Sequence, residues 1–130
     1  MVGKTNKMLP VQETMPKIFS RYRSQIEGEL SKILFQQNKN MPLYHLLRYH
    51  LGFVDEERRI QAKALGKALR PTLCLFTCEA LGGDWSKALP AACAVELVHN
   101  FSLIHDDIQD KDLERRHRPT VWSIWGISQA

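Results

Sequence analysis

Residues Ala88–Asp112 read ALPAACAVELVHNFSLIHDDIQDKD, and this stretch decides the architecture. Val95, Leu97, Val98, Phe101, Leu103, Ile104 and Ile108 are spread around the axis of a helix, the pattern expected when neighbours pack on most sides. The run is long enough to span a bilayer. Glu96, His99, Asn100, His105, Asp106 and Asp107 would each be costly in hydrocarbon, so the stretch reads as a buried helix of a water-soluble bundle with no transmembrane segment.

On so apolar a helix the polar residues carry the information. At about 100° per residue, Asp106, Asp107 and Asp110 share an arc of about 100°, and His99 falls within about 20° of the Asp106 line two turns back. Glu96 and Ser102 lie near the same line, so Glu96, His99, Ser102, Asp106 and Asp110 predict one polar cavity wall. Three adjacent carboxylates repel one another unless a cation neutralises them. Hard Asp oxygens suit Mg²⁺, which keeps room for water and substrate phosphate oxygens. The plain alternative is a solvated acidic helix end, which the helix dipole disfavours at a C-terminus.

Cationic residues surround this patch in the sequence. Arg115, Arg116 and Arg118 follow it directly, and the arginine fork matches phosphate oxygens in pairs, so metal and arginine together predict a diphosphate gripped from two sides. Gly66, Lys67 and Arg70 precede Pro71 at a helix start, a second anion site that needs no metal. A lone His99, or a lone pair of cations, would ordinarily be core or surface decoration.

The rest of the chain is helical punctuation. Ile18, Tyr22, Ile26, Leu30, Ile33 and Leu34 recur every three or four residues, NKNMP breaks the pattern, and Leu43, Leu46, Leu47 and Leu51 form a second helix ending near Gly52. Asp55 to Arg59 is a solvated charge run. A third helix is expected from about Glu56 to Leu69, stopping at Arg70 because a residue before proline leaves the α region. Pro71 then opens a helix carrying Leu73, Leu75, Phe76, Ala80 and Leu81, which ends at Gly82-Gly83, with Asp84 capping the next. No hairpin signal or glycine-rich nucleotide loop occurs, so the fold class is all-α. Residues 1–16 read as a flexible lead-in without a signal peptide.

Composition sets the remaining bounds. With 130 residues, 44% hydrophobic and 25% charged, the chain is one globular domain and neither collagenous nor disordered. A net charge of +4 is scattered and implies anionic small molecules as readily as nucleic acid, which is not expected as a partner. Cys74, Cys78 and Cys93 are odd in number and embedded in apolar helices, which fits a reducing, cytoplasmic compartment.

In order, GKALRP (66–71), CEALGGD (78–84), ALPAACAVELVHNFSLIHDDIQD (88–110) and RRHRPT (115–120) resemble the trans-isoprenyl diphosphate synthases, the polyprenyl synthetase family. The resemblance runs from Gly66 to the last residue. It implies an antiparallel helical bundle of the isoprenoid synthase type, of which residues 1–130 are the N-terminal helices of a single domain and the C-terminal part is absent. It also implies a prenyltransferase of isoprenoid biosynthesis that adds isopentenyl diphosphate head-to-tail to an allylic prenyl diphosphate with Mg²⁺ assistance. Full-length members are homodimers.

By the same resemblance, Asp106, Asp107 and Asp110 hold the metal, with Arg115 on the allylic diphosphate as the fourth residue of the catalytic set. Lys67, Arg70, His99 and Arg116 bind isopentenyl diphosphate, and Phe101 with Ser102 sets chain length at farnesyl or geranylgeranyl diphosphate. Head-to-head condensation is disfavoured by the paired arginines. The chain departs from the family at His117 and Leu65, where glycine is common, and at Ala68, where arginine is common. The family's second aspartate-rich motif is missing, so the 130-residue chain alone is expected to be inactive. The alternative is a non-catalytic helical fragment or a regulatory subunit that retains the first motif.

Overall fold

A computed structural model describes residues 17–36, 41–62 and 65–130; the expected lead-in, residues 1–16, lies outside them. Five helices and one small hairpin follow the short helical run 17–21: α1 (Arg23–Gln36), α2 (Pro42–Leu51), α3 (Leu69–Ala80), α4 (Trp85–Asp110), β1 (Glu114–Arg115), β2 (Arg118–Pro119) and α5 (Val121–Trp125). The fold is the all-α bundle expected from the sequence.

Helix α1 buries Ile26, Leu30 and Leu34, one residue per turn, so a single stripe faces inward. Helix α2 starts with Pro42 in its first turn and stops at Gly52, whose φ of 87° is the left-handed conformation that glycine adopts at little cost. Helix α4 starts where Asp84 accepts a hydrogen bond from the Ser86 N–H at 3.0 Å. The short turn between α3 and α4 returns the chain along itself, and these two helices form the largest packing interface.

Two apolar clusters result. Tyr22, Ile26, Leu30, Leu34, Leu51, Phe53, Leu75, Ala92 and Cys93 make one, while Leu46, Tyr49, Val54, Ile104 and Val121 make the other. Helix α4 serves both, through Ala92 and Cys93 to one and Ile104 to the other. Between those positions it buries Glu96 and Asn100. Asn100 donates to the Glu96 carbonyl at 2.8 Å and to Glu96 Oε1 at 2.9 Å, and its own oxygen lies 3.1 Å from His50 Nε2. Both amide hydrogens are spent on Glu96, so the amide oxygen accepts from an Nε2-protonated, neutral His50.

Three expectations are corrected. No third helix fills residues 56–62 or 65–68. Asp55 instead accepts from the N–H groups of Glu57 (3.0 Å) and Arg59 (2.8 Å) and from Arg59 Nε (2.7 Å), and a bridge pairs Val54 with Ile60. A side chain that satisfies nearby backbone donors competes with helix formation. The next helix therefore starts at Leu69, after Ala68 at a φ of 50°, and Arg70 is helical. Second, α4 is not packed on most sides: Val95 (45% exposed), Val98 (69%) and Phe101 (57%) open outward, because no described element covers that face. Leu73, Phe76 and Leu81 of the preceding segment are likewise exposed.

The third correction is the hairpin. Glu114 pairs with Pro119 and Arg115 with Arg118, so Arg116 and His117 form a two-residue turn with φ of 53° and 61°. Such turns need positive φ at both central positions, and glycine or asparagine ordinarily supplies it. The chain does it with arginine and histidine, which hides the turn from sequence reading. Relief of that strain is expected to outweigh glycine's extra unfolded-state entropy, so His117→Gly should stabilise the chain by about 0.5–1 kcal/mol in urea denaturation. A loss of stability would show that His117 makes compensating contacts.

Candidate functional site

The site is built where α4 ends. Lys111 takes a φ of 55° and closes the helix, and the Asp112 N–H donates to the Asp107 carbonyl at 2.9 Å, turning the chain back into the hairpin. Thr120 Oγ1 (2.8 Å) and Trp122 Nε1 (2.7 Å) donate to the Asp112 carbonyl and pin the far side of that turn.

This return brings Arg115 onto Asp107. Arg115 Nε lies 2.9 and 3.1 Å from the two carboxylate oxygens, and Nη2 lies 2.7 Å from Oδ1. The Asp107 side chain is 2% exposed and that of Arg115 29%. The hydrogen bonds to Asp107 raise the Arg115 pKa, opposed by partial burial and aided by the Asp107, Asp112 and Asp106 charges. Asp106 and Asp110 are exposed on the last turn of α4. The three carboxylates thus divide into one that is buried and paired and two that are open. Among the described residues, no three His, Cys, Asp or Glu side chains converge closely enough to cage a metal by themselves.

The expected polar stripe also divides. Glu96 is buried against Asn100, Ser102 is exposed with its hydroxyl donating to the His99 carbonyl at 2.7 Å, and His99 is half-buried. His99 has a lowered pKa, first from burial and then from Arg70, Arg116 and Arg115, with Glu96 opposing. The charges of those three arginines thus all act on the His99 imidazole. Lys67 and Arg70 are exposed at the start of α3. Phe101 is exposed one and a half turns before Asp106, its ring edge-on to His105 at 4.2 Å.

Arg116 packs directly on Gly66: a Cβ there would lie 3.0 Å from the guanidinium carbon. Glycine permits this close approach without an unusual φ, and a Cβ would make the guanidinium shift by a few tenths of an ångström. Beside this contact a cavity of about 170 Å³ is lined by His50, Gly66, Asp107, Arg115 and Arg116, among others. Arg118, expected at the mouth of the carboxylate patch, turns instead to α2. It donates to the carbonyls of Tyr49 (3.0 Å) and Val54 (2.8 Å) and lies over the Tyr49 ring, whose hydroxyl donates to the Pro119 carbonyl at 2.7 Å.

Sequence reasoning missed His50, Asn100 and the inward turn of Asp107. Asn100 carried a usable signal, an amide on an otherwise apolar helix with no nearby polar partner except Glu96.

Comparison with known proteins bears on this geometry. The family model described as polyprenyl synthetase matches residues 56–130. The chain is 53% identical over 85 residues to (2E,6E)-farnesyl diphosphate synthase of Mycobacterium tuberculosis (strain ATCC 25618 / H37Rv), covering 65% of this chain and 24% of that one. It is 48% identical over 89 residues to geranylgeranyl diphosphate synthase of the same strain, covering 68% and 25%. Among solved structures, polyprenyl synthetase from Streptomyces coelicolor A3(2) superposes with a TM-score of 0.77 at 37% identity, over 88% of this chain and 33% of that chain. The chain spans about a quarter of the length of these curated relatives.

Proposed function

This chain belongs to the polyprenyl synthetase family, and on that premise we propose that it supplies the first-motif half of a prenyltransferase site. The reaction is head-to-tail addition of isopentenyl diphosphate to an allylic prenyl diphosphate in isoprenoid biosynthesis, with farnesyl or geranylgeranyl diphosphate as product. The observation that carries this reading is the buried Arg115–Asp107 pair beside two open carboxylates: one helix end presents both a fixed guanidinium and free hard-oxygen donors.

Asp106 and Asp110 stand four residues apart on one face of α4, and their oxygens suit Mg²⁺. Asp107, with both oxygens engaged, holds Arg115 in place. Magnesium, when bound, neutralises charge developing on the leaving diphosphate. Arg115 orients that diphosphate, while Lys67, Arg70, His99 and Arg116 position the second substrate. The allylic C–O bond breaks with its electron pair leaving on diphosphate, the isopentenyl double bond attacks the resulting carbocation, and transfer of a proton to the released diphosphate restores the alkene. Val98 and Phe101, exposed on α4 in the turns before Asp106, offer apolar surface along which the prenyl chain would lie. Phe101, with Ser102 beside it, limits the length of that chain.

Free Cys74, Cys78 and Cys93 support a reducing, cytoplasmic setting, and no described helix is long and apolar enough to cross a membrane. The homodimer that the family resemblance implies would draw on the exposed Leu73, Phe76 and Leu81 of the preceding segment.

Calorimetric titration with Mg²⁺ and inorganic pyrophosphate tests the site. The wild-type chain is expected to bind the pair, and Asp106→Asn with Asp110→Asn should weaken the Mg²⁺-dependent part at least tenfold, about 1.4 kcal/mol. Unchanged binding in that double variant would remove the metal assignment. A condensation assay with labelled isopentenyl diphosphate separates enzyme from binding fragment.

A further inference from the structure

We propose that Arg23 of α1 is a positioning residue for the isopentenyl diphosphate loop, acting through Gly66 on Lys67 and Arg116. The inference rests on the reading of Lys67 as an anion ligand.

Arg23 reaches across more than forty residues of sequence to grip the loop just before α3. Nη1 donates to the Gly66 carbonyl at 3.0 Å and Nη2 to the Leu65 carbonyl at 3.0 Å. Glu27, one turn along α1, holds the guanidinium from behind with Oε1 2.9 Å from Nε. A planar fork satisfied on several edges has little rotational freedom left, so the two carbonyls are held in a fixed relation to α1. On its other side Gly66 receives the Arg116 guanidinium, close enough that any Cβ would have to displace it. One glycine is thus fastened at its carbonyl by Arg23 and packed at its α-carbon by Arg116.

The loop needs an external anchor. Leu65 and Ala68 both hold left-handed φ angles, 62° and 50°, a conformation that strains a non-glycine residue. The Leu65 N–H donates to the Leu51 carbonyl at 2.8 Å, which with Arg23 ties the entrance of the loop from two directions. Lys67 is exposed between the two strained residues, with its position set by them. Arg23 is itself half-buried at the side of the loop and is assigned no contact with the anion. Its effect is to keep Lys67 and Arg116 at one spacing, so that both reach the same diphosphate.

The test is a binding cycle on this chain with inorganic pyrophosphate as probe and EDTA present, so that the carboxylate end takes no part. Arg23→Ala is expected to weaken pyrophosphate about tenfold, and Arg23→Lys to recover part of the loss, since an ammonium can still donate to a carbonyl. In a Lys67→Ala background, Arg23→Ala should lose clearly less than in wild type, because the part of its effect that runs through Lys67 is already gone. Glu27→Gln, which leaves the carbonyl bonds in place, should give a smaller loss and guards against a poorly folded Arg23→Ala. Wild-type affinity in Arg23→Ala, or losses from Arg23→Ala and Lys67→Ala that multiply independently, would overturn the proposal. If Lys67→Ala binds as well as wild type, the reading of the anion loop fails first and the proposal falls with it.

Discussion

Arg115→Ala is expected to destabilise the folded chain by about 3–5 kcal/mol, measured by urea denaturation at pH 7. The reason lies in what is left behind. The Asp107 side chain is 2% exposed, both its oxygens accept from Arg115, and removing the guanidinium strands a buried carboxylate that must either stay unpaired or take up a proton. Asp107→Asn should cost less, about 1–2 kcal/mol, because an amide oxygen still accepts one of the arginine bonds. Arg115→Lys should fall between them, since a point charge cannot reproduce two parallel contacts. An Arg115→Ala chain within about 0.5 kcal/mol of wild type would mean that the carboxylate finds water or another cation instead.

The second large effect is a pH dependence. Burial, then the Arg116 charge, pushes the His50 pKa down to about 4, with Arg115 adding and Asp107 and the Asn100 hydrogen bond opposing. Unfolded, the imidazole takes up its proton near pH 6.5. Between those two values the unfolded chain binds more protons than the folded one, so stability is complete above about pH 6.5 and falls on acidification, by up to roughly 3 kcal/mol near pH 4. His50→Gln keeps a side-chain N–H for Asn100 and does not titrate, so most of the slope should vanish. The pKa values of His45 and His99 are also lowered, chiefly by burial, and add to the slope with the same sign. Urea midpoints at half-unit pH steps decide the matter: equal slopes in wild type and His50→Gln would place the proton uptake elsewhere.

Much of the fold could be read from the residues. Gly52 stops α2, Asp84 caps α4, and the apolar spacing of α1 appears as buried Ile26, Leu30 and Leu34. These are local effects, settled within one or two helical turns. The failures have a common physical cause, which is competition that only tertiary structure resolves. Residues 56–62 have adequate helical composition, yet Asp55 supplies their backbone with other partners. The Arg116-His117 turn lacks the glycine that marks such turns, and its strain is borne by the surrounding ties of Arg115 to Asp107 and Arg118 to α2.

At the site, helical geometry placed Asp106, Asp107 and Asp110 on one arc. Which of them faces inward depends on where the hairpin returns, and no periodicity reports that. The pairing of His50 with Asn100, fifty residues apart, was equally out of reach.

The belt of His50, Asn100 and Glu96 across α4 has a mechanical consequence. A rod flanked by two greasy compartments could slide along its axis at small cost, since one aliphatic contact replaces another. Here a slip of one turn, about 5.4 Å, would drag an amide and a carboxylate into hydrocarbon and orphan an imidazole N–H. The belt works as a detent: it indexes the height of Asp106 and Asp110 against the N-terminus of α3, and with it the gap that a substrate must bridge.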